Sequence, residues 1–215
     1  MRILIVDDMV KNGAVRSEFG DEIIASLPEG VAGVSTVAAG IEAINREQWD
    51  RVIVDLNLPM GLDTFDKEFN EILRSTTENL DDTTFPDALR RADGQRFGTV
   101  LKYALLDLSQ FHHLSTAGVI TAKICHDRGI PFTVNTGDGG HSMDGILALA
   151  SNRILDPEMT ADVLASEWSK REAWLKTGAK GCFKDAFTIS ADRSFAIGDK
   201  HDPKHWEKLF EVIKK

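Results

Sequence analysis

Two short runs, at residues 3–6 and 52–54, consist entirely of aliphatic, mostly β-branched side chains. Runs of this length and composition predict strands that are buried on both faces of a sheet. Each run leads directly into carboxylates, with Asp7 and Asp8 after the first run and Asp55 after the second. Open α/β sheets bind ligands at the carboxyl ends of their strands. If the two strands are parallel neighbours, we expect the three acidic side chains to converge at one edge.

The segment between these two runs predicts two crossovers. Residues 15–27 carry apolar side chains at three- and four-residue steps, which predicts an amphipathic helix. A short β-branched strand is expected at residues 33–38 and a short helix at residues 40–48. The order up to Asp55 is therefore βαβαβ, which predicts a parallel sheet with right-handed crossovers.

The regular alternation stops after Asp55. Residues 62–114 are first polar and acidic and then carry apolar residues at helical spacing. A connection of this length predicts a helical insertion that serves as a lid or a partner surface. A helix at 116–128 and a strand at 132–135 resume the pattern, and that strand leads into Thr136.

The last third of the chain continues this pattern. Helical segments are expected at about residues 143–151 and 157–176. The glycines that follow lead into an apolar pair at residues 182–183, which predicts a short fifth strand ending in Lys184. We therefore expect a hydroxyl from the fourth strand and an ammonium from the fifth at the same edge as the carboxylates.

We interpret residues 1–215 as a single α/β domain. Besides the long insertion, residues 154–177 and 186–201 are interpreted as smaller additions, the second as a polar excursion. Asp202 is expected to cap a closing amphipathic helix, with Pro203 in its first turn.

Composition narrows the function classes. The net charge of −9 argues against nonspecific nucleic-acid binding by the chain as a whole. Met1 leads directly into a strand without a charged leader and apolar signal core. No apolar run has the length of a membrane span. We therefore expect a soluble cytoplasmic protein with no membrane partner.

The residues expected at the strand ends suit phosphoryl transfer to a carboxylate. Three neighbouring carboxylates repel one another unless a cation lies among them, and Mg²⁺ prefers such oxygen ligands. In this interpretation Asp55 is the nucleophile, and the metal ligands are Asp7, Asp8, Asp55 and the backbone carbonyl of Asn57. Thr136 would offer a hydroxyl and Lys184 an ammonium to the phosphoryl oxygens. Such a reaction depends on positioning and charge neutralisation.

The chain resembles a response-regulator receiver domain, the phosphoacceptor of two-component signalling. The resemblance rests on MRILIVDD, VIVDLNLPMG, GIPFTVNTGD and GAKGCFKD, and it covers roughly residues 1–61 and 115–185. Two positions depart from the family, because Asp185 stands where a Pro usually follows the lysine and Gly181 where an aromatic residue is common.

The resemblance implies a doubly wound, five-stranded parallel sheet in the flavodoxin-like order 2-1-3-4-5. It also implies Mg²⁺ dependence, a phosphoryl donor that is a sensor histidine kinase or a phosphotransfer protein, and signalling by a shift in conformational populations. We expect a stand-alone receiver that assists its own phosphorylation, is not otherwise an enzyme, and acts on a downstream protein through its insertions.

Two alternatives remain open at this stage. A phosphatase or phosphotransferase of the haloacid-dehalogenase type also uses an Asp nucleophile, Thr/Ser, Lys and Mg²⁺, and often carries an inserted cap. That family has an acid two residues after the nucleophile, where this chain has Asn57, and its nucleophile lies on the first strand of the chain. The second alternative is a pseudo-receiver that is not phosphorylated and serves only as a binding module.

Overall fold

The computed structural model describes residues 1–17, 20–56, 58, 118–137, 145–146, 149–150, 153–164, 166 and 187–214. The predicted insertion at 62–114 and the predicted strand at 182–183 lie outside the described residues. Of the addition predicted at 154–177, the described part is helical at 157–164.

Nine strands and three helices have defined bounds within the described residues. In chain order they are β1 (Ile3–Val6), β2 (Val10–Lys11), β3 (Ala14–Arg16), β4 (Glu22–Ile24), β5 (Val31–Val34), α1 (Val37–Arg46), β6 (Arg51–Val54), α2 (Gly118–Asp127), β7 (Phe132–Thr136), β8 (Phe187–Ile189), β9 (Phe195–Gly198) and α3 (Pro203–Ile213). Among these helices, none is both long and apolar enough to cross a membrane.

The larger sheet has six strands in the order β5-β1-β6-β7-β9-β8. All neighbouring pairs are parallel except β8 and β9, which are antiparallel. The α/β class and a mostly parallel sheet are thus confirmed. The sheet is mixed rather than wholly parallel, and it has one strand more than the five predicted.

The chain forms strands where a polar excursion was predicted, at residues 186–201. β8 and β9 lie there, and all four residues of β9 are buried in the larger sheet. Asp192 organises the turn between them, because its Oδ1 accepts hydrogen bonds from the Ser190 hydroxyl and from the Ser194 amide and hydroxyl. The many polar residues of this segment form the hairpin turn, and the short apolar run beside it is a central strand.

The predicted helix at residues 15–27 is wrong. β2, β3 and β4 form a separate three-stranded antiparallel sheet there, which we call the meander. Its first turn contains Asn12 and Gly13, both with positive φ, at 54° and 74°. Asn-Gly is the pair that favours a two-residue hairpin turn. The apolar spacing that fits a helix is used instead by Val15 and Ile24, which pair across β3 and β4 and pack into the core.

Three predicted helices are found: those at 40–48 and 116–128 appear with shifted ends as α1 and α2, and the closing helix is α3. The helices predicted at 143–151 and 157–176 are described only in part, and their described residues include helical ones at 145–146, 149–150 and 157–164. Thr36 caps α1, and its hydroxyl accepts a hydrogen bond from the Ala39 amide at 3.1 Å. Asp202 caps α3 with Pro203 in the first turn, as predicted. Burial of the apolar faces of these helices against the sheet forms two clusters, one on each side.

Glycine allows one helix to approach the central strand end closely. A Cβ at Gly118, the first residue of α2, would lie 1.8 Å from the carbonyl oxygen of Asp55. The Gly118 amide also donates a hydrogen bond to the Leu56 carbonyl at 3.1 Å. The start of α2 is therefore fixed against the residues that follow β6.

Candidate functional site

The register of β1 and β6 sets two carboxylates side by side. Val6 pairs with Val54, and the Asp55 amide donates a hydrogen bond to the Val6 carbonyl at 2.8 Å. On the other side of β1, the Asp7 amide donates to the Val34 carbonyl at 2.9 Å. The strand pairing thus continues for one residue into the acidic positions, and it fixes both backbones at the same edge.

The carboxylates of Asp7, Asp8 and Asp55 lie close together, as the sequence predicts. One carboxylate oxygen from each of Asp7, Asp8 and Asp55 lies within 4.8 Å of the others. Asp7 and Asp55 are buried, with exposed fractions of 0% and 2%, whereas Asp8 is exposed. The Asp7 carboxylate is also fixed by the Met9 amide, which donates to its Oδ1 at 3.0 Å.

A buried lysine joins two of these acids. Lys200 Nζ lies 3.0 Å from Asp7 Oδ2 and 2.7 Å from Asp55 Oδ2, and the residue is 8% exposed. Lys200 comes two residues after the end of β9, and its backbone carbonyl accepts a hydrogen bond from the Trp206 indole at 2.9 Å. The strand, the turn and α3 therefore hold this ammonium in place between the carboxylates.

Lys200 was not among the residues predicted for the site. The sequence assigns the ammonium to Lys184, which lies outside the described residues, as does Asn57. Within the described part of the chain, Lys200 is the lysine that contacts Asp55. A signal for it exists in the sequence, because a four-residue run of small and apolar side chains ends two residues before it.

Burial and mutual repulsion act together on the acids. Burial raises the pKa of Asp7, and the Asp55 carboxylate adds to the increase, while Lys200 opposes it. Partial burial likewise raises the pKa of Asp8, with Lys200 and Lys11 opposing. For Lys200, burial alone would lower the pKa, but the Asp7 and Asp55 carboxylates raise it above its ordinary value. Within the described residues, the three carboxyl groups of the cluster therefore share one ammonium. Although this lysine is fully ionised, its charge does not balance theirs.

The carboxyl end of β7 contributes a buried polar layer. Thr136 is fully buried, and its hydroxyl has no hydrogen-bond partner within the described residues. The preceding residue, Asn135, accepts a hydrogen bond at Oδ1 from His205 Nε2 at 2.7 Å. Burial lowers the pKa of His205 to about 4, so the ring is neutral at pH 7 and anchors α3 against the sheet.

A cavity of about 410 Å³ opens onto this edge of the sheet. Asp8, Asp55 and Lys200 are among the residues that line it, and so is Gly137, where the chain leaves β7. Thr136 immediately precedes Gly137 but is not itself among the lining residues. The cavity gives a small molecule access to Asp55 despite the burial of its side chain.

The donor set fits a hard divalent cation. The three acids offer only oxygen ligands, and Mg²⁺ prefers such ligands and commonly retains several waters. Asp55 Oδ1 has no hydrogen-bond partner in the described part of the chain, although it is buried. Since an unpaired buried carboxylate oxygen is costly, a bound cation or an incoming electrophile would relieve this cost.

Comparison with protein-family models, with curated proteins and with solved structures finds no match to this chain.

Proposed function

We propose that this chain is a receiver-like phosphoacceptor in which Asp55 takes a phosphoryl group in a Mg²⁺-dependent reaction. The donor in this proposal is a sensor histidine kinase or a phosphotransfer protein, and the output is a contact with another protein. The strand arrangement supports it. Without the antiparallel β8, the larger sheet runs β5-β1-β6-β7-β9, which is the order 2-1-3-4-5 when the five parallel strands are numbered along the chain.

One observation carries the proposal. Lys200 binds Oδ2 of Asp55 at 2.7 Å, while Oδ1 of the same carboxylate has no hydrogen-bond partner within the described residues, and Asp55 lines the cavity. In this proposal the lysine holds one oxygen, and the oxygen without a partner attacks phosphorus. In the transfer, Asp55 Oδ1 bonds to phosphorus, and the bond between phosphorus and the donor breaks with its electron pair remaining on the donor.

The neighbouring residues have separate roles in this reaction. Asp7, Asp8 and Asp55 would hold the metal, and the Asn57 carbonyl stays a predicted further ligand. When bound, Mg²⁺ supplies positive charge to the phosphoryl oxygens. Lys200 would supply a second positive charge at a fixed position. Thr136 would offer its hydroxyl, which has no hydrogen-bond partner within the described residues, near the same edge.

Phosphorylation by acetyl phosphate tests the proposal. We expect intact-mass spectrometry to detect one added phosphoryl group on the wild type with Mg²⁺, and none with EDTA or on the Asp55→Asn variant. Equal labelling of Asp55→Asn, or no labelling of the wild type, would contradict the proposal. Sustained turnover of phosphomonoesters that requires Asp55 would instead indicate a phosphatase of the haloacid-dehalogenase type.

Two lysine variants test which lysine supplies the ammonium at Asp55, Lys184 as the sequence predicts or Lys200 as the described residues show. Both Lys184→Ala and Lys200→Ala remove one positive charge, so they match in net charge. Because Lys200 contacts Asp55 directly, we expect its replacement to slow phosphorylation by 10²-fold or more, the usual order for a lost electrostatic contact at a reacting oxygen. We expect the Lys184 variant to stay within a few-fold of the wild type. The reverse result would return the role to Lys184.

A further inference from the structure

The cavity beside Asp55 has a second wall that the proposed phosphoacceptor chemistry does not use. Lys11 and Arg16 of the meander line it, together with Met9. Neither cation contacts Asp7, Asp8 or Asp55 in a salt bridge within the described residues. The lining therefore combines the acids Asp8, Asp55 and Asp199 with the cations Lys11, Arg16 and Lys200. We call Lys11 and Arg16 the basic wall, and Lys11 also acts electrostatically on the Asp8 carboxylate.

Two neighbouring strands of the meander bring these cations to the cavity. Lys11 pairs with Ala14 across β2 and β3, so these two side chains lie on the same face of the meander. Arg16 lies two residues beyond Ala14, after a register shift between Val15 and Arg16, and it lines the same cavity. Val10 and Val15 lie on the opposite face, where both are buried in the core.

The basic wall is held by a packed element. The Arg16 amide donates to the Met9 carbonyl at 2.8 Å, which closes the hairpin at its base. The Arg16 guanidinium is oriented by Glu22 Oε2, 2.9 Å from its Nη2. A guanidinium has five N–H donors, so this pairing leaves others for a ligand. In the described part of the chain, the Lys11 ammonium has no salt-bridge partner.

We propose that this cavity binds a small phosphodonor that carries a second anionic group, with the phosphoryl group at Asp55 and the second anion on Lys11 and Arg16. The inference rests on the proposed phosphoacceptor function and names a small-molecule donor class in addition to a protein donor. A volume of about 410 Å³ falls in the range of small-molecule sites. Arg and Lys side chains bind carboxylate and phosphate groups through charge-assisted hydrogen bonds.

The transfer from such a donor balances without a further reactant. With an acyl phosphate, Asp55 Oδ1 bonds to phosphorus and the bond between phosphorus and the acyl oxygen breaks. The electron pair remains on the departing carboxylate. No proton, oxidant or reductant is required, and the second anionic group takes no part except in binding.

Two matched donors test the inference. Benzoyl phosphate and 4-carboxybenzoyl phosphate differ only in a carboxylate opposite the reacting group. With Mg²⁺ and low donor concentration, we expect the second to phosphorylate Asp55 about tenfold faster, which corresponds to about 1.4 kcal/mol of binding free energy. Intact mass against time measures both rates. In Lys11→Met and Arg16→Met, we expect the ratio of the two rates to fall toward one.

Lys204→Met is the matched control, because Lys204 is exposed on α3 and is not among the residues that line the cavity. It removes the same charge and should preserve the wild-type ratio. Equal rates with both donors in the wild type would overturn this inference and leave the proposed function intact. A ratio that falls equally in the Lys204 variant would also overturn it, because long-range charge would then explain the preference. Failure of both donors to label Asp55 when acetyl phosphate does label it would overturn this inference alone. Failure of acetyl phosphate as well would overturn the proposed function and this inference with it.

Discussion

Replacement of Lys200 by Met tests the electrostatic argument for the site without relying on any activity. The substitution removes an ammonium that contacts Asp7 at 3.0 Å and Asp55 at 2.7 Å, and a side chain of similar length fills its space. Both carboxylates then remain buried beside each other. Breaking a buried ion pair by removing one partner costs about 3–5 kcal/mol. We expect the free energy of unfolding at pH 7 without metal to fall by about this amount.

Urea unfolding in EDTA, monitored by circular dichroism, measures the difference. Addition of Mg²⁺ should restore part of the lost stability, because a cation among the carboxylates replaces the missing charge. At a hundred times its dissociation constant, a ligand that binds only the folded state adds about 2.7 kcal/mol. The gain from Mg²⁺ should be larger in the variant than in the wild type, because the variant has no lysine to compete for the same oxygens.

Lys204→Met has the same change in net charge, and we expect it to alter the unfolding free energy by no more than about 0.5 kcal/mol, as for other exposed positions. If Lys200→Met unfolds within about 1 kcal/mol of the wild type in EDTA, removal of the ammonium carries no buried-charge penalty. The description of the site as a buried, charge-deficient cluster would then be wrong.

Three further predictions concern the residues around this cluster. Gly118→Ala should destabilise the fold by about 1–3 kcal/mol and slow Asp55 phosphorylation, because the added Cβ would lie 1.8 Å from the Asp55 carbonyl oxygen. Urea unfolding identical to that of the wild type would refute the close approach of α2 to Asp55. Thr136→Val should leave the unfolding free energy within about 1 kcal/mol of the wild type, because the lost hydroxyl has no partner within the described residues. The same variant should slow phosphorylation, because it lacks the hydroxyl offered to the phosphoryl group. A phosphorylation rate equal to that of the wild type would show that Thr136 does not belong to the site. His205 has its pKa lowered from 6.5 to about 4, so the unfolded chain binds the proton first and stability falls as the pH drops from 6.5 to 4. His205→Gln keeps a hydrogen-bond donor for Asn135 and serves as the comparison. Urea unfolding at several pH values should show that the unfolding free energy of the wild type falls by about 3 kcal/mol relative to this variant between pH 6.5 and 4. Parallel pH profiles of the two proteins would contradict the lowered pKa of His205.

The elements predicted best are those whose apolar pattern fits only one kind of secondary structure. Residues 3–6 and 52–54 are continuous apolar runs, and both form buried parallel strands that end at the predicted carboxylates. The closing helix is similarly well specified, since Asp202 and Pro203 mark its first turn. In each of these cases the local sequence and the tertiary environment favour the same conformation.

The meander shows why helical spacing alone is a weak signal. Residues 15–27 carry apolar residues at steps that suit a helix, but a short strand pair with a bulge uses several of the same positions. The Asn12-Gly13 pair just before the segment is the stronger local signal, because its left-handed backbone conformation suits a hairpin. This difference changes the description of the cavity, because the meander is the element that brings Lys11 and Arg16 to it.

The sequence motif did not identify Lys200, for a physical reason. The motif identifies Lys184, a lysine that follows an apolar pair, and this residue lies outside the described residues. The ammonium that contacts Asp7 and Asp55 is that of Lys200, which follows the buried strand β9 in a turn whose carbonyl is bound by the Trp206 indole. The indole belongs to α3, so the position of Lys200 depends on the packing of a helix that follows it in the chain.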